Sequence, residues 1–250
     1  MSMHWKMRWL ILLKKITLVG SESELEQLMQ RLCTPQQPQV LAFANAHAFN
    51  FAADSVEFFE AINSTNVILR DGSGMAMLYR MLGTNPGLNL NGTDLIPKIL
   101  ERFSGVSIAL FGTQDPYLSK AAAVVSAGIT SRSQLICKDG FQTADTYLML
   151  AKETKPKLII LGMGMPKQEK VAAQLVALNT PCLIICGGAI IDFMGGKISR
   201  APQWMRNMGV EWIYRFAMEP RRLFSRYLVG NPVFLFRSMV FRSGAANLNN

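Results

Sequence analysis

Short apolar runs alternate along the chain with segments whose apolar residues recur every three or four positions. The runs are ITLVG (16–20), QVLAFA (39–44), NVILR (66–70), VSIALFG (106–112), SQLIC (133–137), KLIILG (157–162) and PCLIICG (181–187). Between them lie SESELEQLMQRL, SVEFFEAIN, GMAMLYRML, TDLIPKILERF, YLSKAAAVVSAG and KQEKVAAQLVAL, each with helical spacing. Unbroken apolar strands alternating with helices predict a mostly parallel α/β sheet covered on both faces. Ser21 with Glu24 makes a capping box for the first helix after the opening run.

The pattern changes near residue 197, which divides an α/β body (1–196) from a helical C-terminal appendage (197–250). Pro220 is expected to open a helix there, and Gly230 with Pro232 to close it. At the other end WLILL (9–13) is flanked by Arg8 and Lys14–Lys15 and lacks a small-residue cleavage site. It is expected to be a strand or a poorly ordered extension. No apolar segment reaches the ~20 residues that a bilayer span needs.

Charge sharpens the division. The net charge is +9, and nine basic against two acidic residues fall after position 196. A basic appendage on a nearly neutral body points to an anionic partner: phosphates, nucleic acid or acidic lipid. RNA-binding aromatic signatures are missing, which argues against nucleic acid. The four cysteines form no C-x-x-C pair, and with only two histidines they read as packing residues, not zinc ligands.

In an open parallel sheet ligands bind where strands hand over to helices. The turns there are FANAH (43–47), RDGSG (70–74), NGTD (91–94), FGTQD (111–115), KDGF (138–141), GMGMPKQE (162–169) and GGAIIDF (187–193). Nearly all combine Gly with Asp, Asn or Gln. One such turn is ordinary; seven on one sheet edge suggest a polar site. A dinucleotide fingerprint would need a third Gly at 167, where Lys167 stands, so a nicotinamide or flavin site is disfavoured. What remains at Gly162 and Gly164 is a glycine turn feeding a helix that is expected to begin at Pro166. Free N–H groups at that start, the Lys167 charge and the Gln168 amide suit phosphate and sugar. Asp71, at a strand's carboxyl end, is placed for a general base. Thr93 is read as the cap of the next helix and Asp94 as its neighbour. Asp71, Asp94, Asp115, Asp139, Asp145 and Asp192 form no D-x-D pair. That favours neutralising a diphosphate with helix starts, Lys and Arg instead of a divalent ion. In the appendage Arg215, Glu219, Arg222 and Arg226 share a face if helical phase survives Pro220, beside a stripe of Ile213, Phe216, Leu223 and Tyr227.

These motifs, in one order over roughly residues 16–235, resemble the WecG/TagA/CpsF glycosyltransferases. The specific part is the Pro-Lys-Gln-Glu turn, the GGAIIDFMGG turn, and then RAP, EWIYR and EPRR. The resemblance implies a Rossmann-like core of the kind called GT-E, with a membrane-associating appendage. It implies an inverting, metal-independent hexosyltransferase without a cofactor. The donor would be a UDP-sugar of ManNAc, ManNAc-uronic acid or glucose type. The acceptor would be a polyprenyl-diphosphate-linked glycan at the cytoplasmic face of the inner membrane, for cell-surface polysaccharide.

By the same resemblance Asp71 is the base, while Gln168, Asp192, Arg215, Arg222 and Arg226 touch substrate. Asn45, Thr93, Asp94, Gly112, Asp139, Gly140, Phe141, Gly162, Gly164, Pro166 and Lys167 are the further substrate-binding candidates from the turns. The family's Thr-x-Asn-x-Glu keeps only Asn45 here, with Phe43 and His47 in the outer places. Arg70 precedes the Asp-Gly turn, and a close approach of their charges would lower the Asp71 pKa. Self-association is left open. The alternative is a non-catalytic nucleotide-binding module that docks on a membrane surface.

Overall fold

Each of the seven apolar runs forms a strand, and the computed structural model describes residues 3–128 and 134–246. In chain order the first elements are α1 (Trp5–Lys15), β1 (Ile16–Thr17), α2 (Glu22–Cys33), β2 (Gln39–Ala44), α3 (Ala46–Asp54), α4 (Val56–Asn63), β3 (Val67–Arg70) and α5 (Ser73–Met81). Next come α6 (Gly92–Arg102), β4 (Ile108–Gly112), α7 (Tyr117–Gly128), β5 (Leu135–Lys138), α8 (Ala144–Thr154), β6 (Leu158–Gly162), α9 (Lys167–Val176), β7 (Leu183–Cys186) and α10 (Ile190–Met194). The chain ends in α11 (Gln203–Asn207), α12 (Glu211–Met218), α13 (Pro220–Phe224), a π-helical turn (Ser225–Val229) and α14 (Gly230–Ala246).

The sheet has seven strands in the order β1-β3-β2-β7-β6-β4-β5, and every pairing is parallel. All strand-end turns therefore lie along one edge. Period-two alternation divides the strand residues between two cores. Ala42, Ala44, Ile68, Phe111, Leu161 and Ile184 face one, which α1, α3, α4, α5, α8, α9 and α14 cover. Leu41, Phe43, Leu69, Leu110, Ile160 and Ile185 face the other, under α2, α6, α7 and α10. Both sheet faces are dry, which is why the strands read as continuous apolar runs.

Several elements differ from the sequence-based expectation. The WLILL segment is the middle of a helix, not a strand or loose extension. Five consecutive apolar residues carry no period, so packing decides: Trp9 and Leu12 go inward, and the Trp9 indole donates to Phe49 O at 2.8 Å. Arg8 is buried and donates to the Ala52 and Ala53 carbonyls at the end of α3. The first strand stops at Thr17, because the Val19 carbonyl instead takes the Leu88 N–H at 2.7 Å. Ser133 of the predicted SQLIC strand lies outside the described residues.

Gly230 and Pro232 do not end a helix; they start α14. The π-helical turn before it sends the Gly230 N–H to Ser225 O. Pro232 then falls in the first turn of α14, where its missing N–H is harmless. Phase does not survive Pro220 either, since Glu219 at φ −133° and ψ 60° breaks the helix.

Phe234 and Phe241 of α14 belong to the same core as Trp9 and Phe49, with ring centroids 5.5 and 5.8 Å from Trp9. Polar ties reinforce this seat: Asn50 donates to Gly230 O at 2.7 Å, and Arg237 pairs with Asp54. Trp9→Ala is expected to destabilise the protein by about 3–5 kcal/mol. In hydrogen exchange, amides of α14 should lose protection before those of β6 and β7.

Candidate active site

β2 and β7 are neighbours, yet their helices leave on opposite faces: α3 packs on the first core and α10 on the second. Such a divergence opens a crevice at the carboxyl ends of the two strands. Asn45 and Asp71 stand on one side of it. The GGAIIDF and GMGMPKQE turns stand on the other.

On the first side Asn45 caps α3, accepting from Ala48 N at 3.1 Å. Its amide also donates to Asp71 Oδ2 at 3.3 Å. The Asp71 N–H donates to Ala44 O at 2.9 Å. Gly72 follows at φ +85°, a left-handed conformation open to glycine, and starts α5 without a side-chain cap. Beneath this turn Arg70 is buried. It donates to the carbonyls of Pro86, Gly72 and Gly87 and to Asn89, so its charge is spent bracing the turn.

Burial pushes the Asp71 carboxyl up. The Asn45 hydrogen bond and then Arg226, Arg215 and Arg70 pull the other way without overcoming it. The lowering expected from Arg70 is thus the smallest of these effects, because desolvation dominates. His47, against the Phe51 ring at 4.6 Å, is pushed down to about 4 by burial and by Arg226. It is neutral at neutral pH.

On the second side the predicted residues hold one another. Gln168 is buried; its amide accepts from Gly188 N at 2.9 Å and donates to Glu169 at 2.8 Å. Lys167 donates to Gly140 O and Gln142 O at 2.9 and 2.7 Å. Thr113 donates to Asp192, which also pairs with Lys197 at 3.2 Å. Asp139 closes its own turn by accepting from Phe141 N at 3.0 Å, and leaves the Phe141 ring 73% exposed. Gly112 and Gly162 let adjacent strand ends touch: a Cβ on Gly112 would lie 2.5 Å from Gly162 O.

Two expected helix starts shift. Pro166 precedes α9, which begins at Lys167, and the Gln168 N–H is occupied by Gly164 O at 3.1 Å. The cap of α6 is Asn91, not Thr93. Asn91 accepts from Asp94 N at 3.0 Å and donates to Asp94 Oδ2 at 2.7 Å.

The appendage reaches across the crevice. Arg215 lies over the Phe193 ring at 5.3 Å while also acting on Asp71. Arg226 lies over Tyr227 at 5.4 Å, and burial lowers its pKa. Arg222 is turned outward, paired with Glu219. Sequence reasoning missed Thr113 and Asn89, which brace the turns. It also gave no role to Arg200 and Arg206, which meet at Asp94; Arg200 is the Arg of the RAP motif and Arg206 follows shortly after it. Among the described residues no three His, Cys, Asp or Glu side chains cluster as a metal site.

The fold and site define a class: an all-parallel α/β protein with a polar crevice at the strand ends and cationic helices laid over it. The glycosyl transferase WecG/TagA/CpsF family profile matches residues 11–247, and the chain belongs to that family. It is 26% identical over 192 residues to an N-acetylglucosaminyldiphosphoundecaprenol N-acetyl-beta-D-mannosaminyltransferase of Bacillus subtilis (strain 168), covering 73% of each chain. It is 28% identical over 204 residues to the protein of that name in Staphylococcus aureus (strain MW2), covering 78% of this chain and 77% of the relative.

Glu169 gives a test of the site's electrostatics. Burial raises its carboxyl to about 7, above the value of ~4.3 for an unfolded chain. The folded state therefore holds this proton more tightly. The stability it contributes is full below the unfolded value and is lost as pH rises through about 7. Glu169→Gln removes the loss. Its Tm should exceed that of wild type by roughly 10 °C near pH 8.5, with the gap closing towards pH 5, at ~2–4 °C per kcal/mol for a chain of this size.

Proposed function

We propose that the protein is an inverting, metal-independent hexosyltransferase that moves a sugar from a UDP-sugar to a polyprenyl-diphosphate-linked glycan. The observation that carries this reading is Asp71: a carboxyl raised by burial, at the crevice between β2 and β7, within reach of Arg215 and Arg226. Family membership and the names of the two relatives support a lipid-linked acceptor and an N-acetylmannosamine-type sugar.

Asp71 takes the proton from an acceptor hydroxyl. The oxygen bonds to the anomeric carbon from the face opposite the nucleotide, the bond to the diphosphate breaks, and UDP leaves. Arg215 and Arg226 offset the charge that develops on it. A raised pKa makes Asp71 a stronger base than an ordinary carboxylate and still leaves it ionised at higher pH. Phe141 offers an uncovered ring against which a base can stack.

Asp71→Asn should lower kcat by roughly 10²–10⁴-fold without lowering the melting temperature in the presence of UDP. In wild type kcat/KM should rise with pH along a limb centred above the ordinary carboxylate range. Asn45→Ala, which removes a hydrogen bond that favours the ionised form, should move that limb further up. UDP should raise Tm with EDTA present. Near-normal turnover by folded Asp71→Asn would remove Asp71 as the base, whereas a UDP shift in wild type without sugar transfer would leave a nucleotide-binding module.

The membrane-facing part of the reading rests on the appendage. No helix among the described residues is long and apolar enough to cross a membrane. Large apolar side chains nevertheless lie uncovered there, including Phe224 at 54% and Phe236 at 67%, beside the exposed Arg221 and Arg242. This suits an amphipathic element lying on anionic lipid at the cytoplasmic face of the inner membrane. Phe224→Ser with Phe236→Ser should weaken co-sedimentation with phosphatidylglycerol-containing liposomes by about tenfold at unchanged Tm. High salt should weaken wild-type binding as well. Unchanged sedimentation of the double variant would place the membrane contact elsewhere.

A further inference from the structure

Among the described residues, four guanidinium nitrogens are shut off from water without a hydrogen-bond partner: Nε and Nη2 of Arg200, Nε of Arg206 and Nε of Arg215. A covered, unpaired N–H is costly, because its hydration is lost and nothing replaces it. The side chains of Arg200 and Arg206 are still 26 and 27% exposed, so these under-used guanidiniums border solvent.

Two of these arginines form a unit. Nη1 of Arg200 and Nη1 of Arg206 both approach Asp94 Oδ1, at 2.5 and 3.6 Å. Arg200 Nε stands 3.9 Å from Glu211, too far for a hydrogen bond. The unit is separate from the reacting carboxyl, for the cations that act on Asp71 are Arg226, Arg215 and Arg70. Between the two arginines, α11 displays Trp204 at 61% exposure, and Met208 just beyond it is 69% exposed. Paired guanidiniums with free donors bind phosphate oxygens. Uncovered Trp and Met beside them suit an apolar tail on the same molecule.

We propose that Arg200 and Arg206, positioned by Asp94, form a second diphosphate subsite that takes the prenyl-linked acceptor, with Trp204 and Met208 against its first isoprene units. The subsite rests on the transferase reading above. Nucleotide and prenyl donors of diphosphate share the chemistry of the head group, and the apolar flank selects the prenyl one. Asp94 acts through the arginines. An acid beside an anion site repels the ligand directly, so its value lies in holding two like charges together.

Isothermal titration calorimetry on the full chain tests this with farnesyl diphosphate, inorganic pyrophosphate and UDP. Arg200→Gln with Arg206→Gln should weaken farnesyl diphosphate by about tenfold or more and leave UDP within about twofold. Trp204→Ala should weaken farnesyl diphosphate several-fold and leave pyrophosphate unchanged. Asp94→Asn should also weaken farnesyl diphosphate, whereas a role of net charge alone would tighten it. An equal loss for UDP would assign the pair to the nucleotide and overturn the proposal. So would undiminished farnesyl diphosphate binding by the double variant, or tighter binding by Asp94→Asn. If the double variant does not fold, Arg200→Lys keeps the charge, removes the fork and is read against the same ligands. Wild type that binds neither UDP nor farnesyl diphosphate overturns the transferase reading as well. Wild type that binds both, beside a double variant that keeps the prenyl ligand, overturns the subsite alone.

Discussion

The aromatic seat of α14 is the contact on which the cationic side of the crevice depends. Phe234 and Phe241 pack on Trp9, and Trp9 packs on Phe49 of α3. Burying rings of this size contributes several kcal/mol in all, more than a surface ion pair such as Arg237–Asp54 can supply. Because α3 starts at the Asn45 cap, the same cluster ties α14 to the helix whose cap touches Asp71. The π-helical turn and α13 then bring Arg226 back over the strand ends. A basic segment that could have trailed into solvent is thereby held where its charges meet a carboxyl.

Within the crevice most polar side chains are engaged with one another. Gln168 joins the β6 and β7 turns, Lys167 joins those of β6 and β5, and Thr113 with Asp192 joins those of β4 and β7. This network makes the rim rigid and leaves few side chains unspent. Gly72, Gly164 and Gly188 have nothing within 4 Å of where a Cβ would stand, so the backbone itself lines open space at those turns. The groups left in an unsettled state are Asp71, raised by burial, and the arginines above it. A site with a stiff rim and a few poised charges is what electrostatic preorganisation requires.

The strands were legible because a parallel sheet dried on both faces writes each strand as one apolar run, and KLIILG is the plain example. The helix at WLILL was not, since its phase is set by Trp9 meeting rings more than 200 positions away in sequence. Turn positions could be read from Gly beside Asp or Gln, and Asn45 and Asp71 do come together. How each side chain is used could not be read, because Lys167 and Gln168 are committed by neighbouring turns that only the strand order brings close. The crevice itself depends on β2 lying beside β7, an adjacency that spacing along the chain does not encode. Arg200, the Arg of the RAP motif, and Arg206 carried no assigned role, because their shared counter-ion at Asp94 lies more than 100 residues earlier in the chain.

On the transferase reading, the same arginines serve two anions in turn, and this couples binding to base strength. In the free protein Arg226 and Arg215 favour the ionised form of Asp71 and partly offset its desolvation. An incoming diphosphate draws their fields onto itself and adds negative charge of its own. Both changes raise the proton affinity of Asp71 at the moment the donor is in place. The carboxyl is then most basic only when a sugar is there to be attacked, and it relaxes as UDP departs and the guanidiniums return to it.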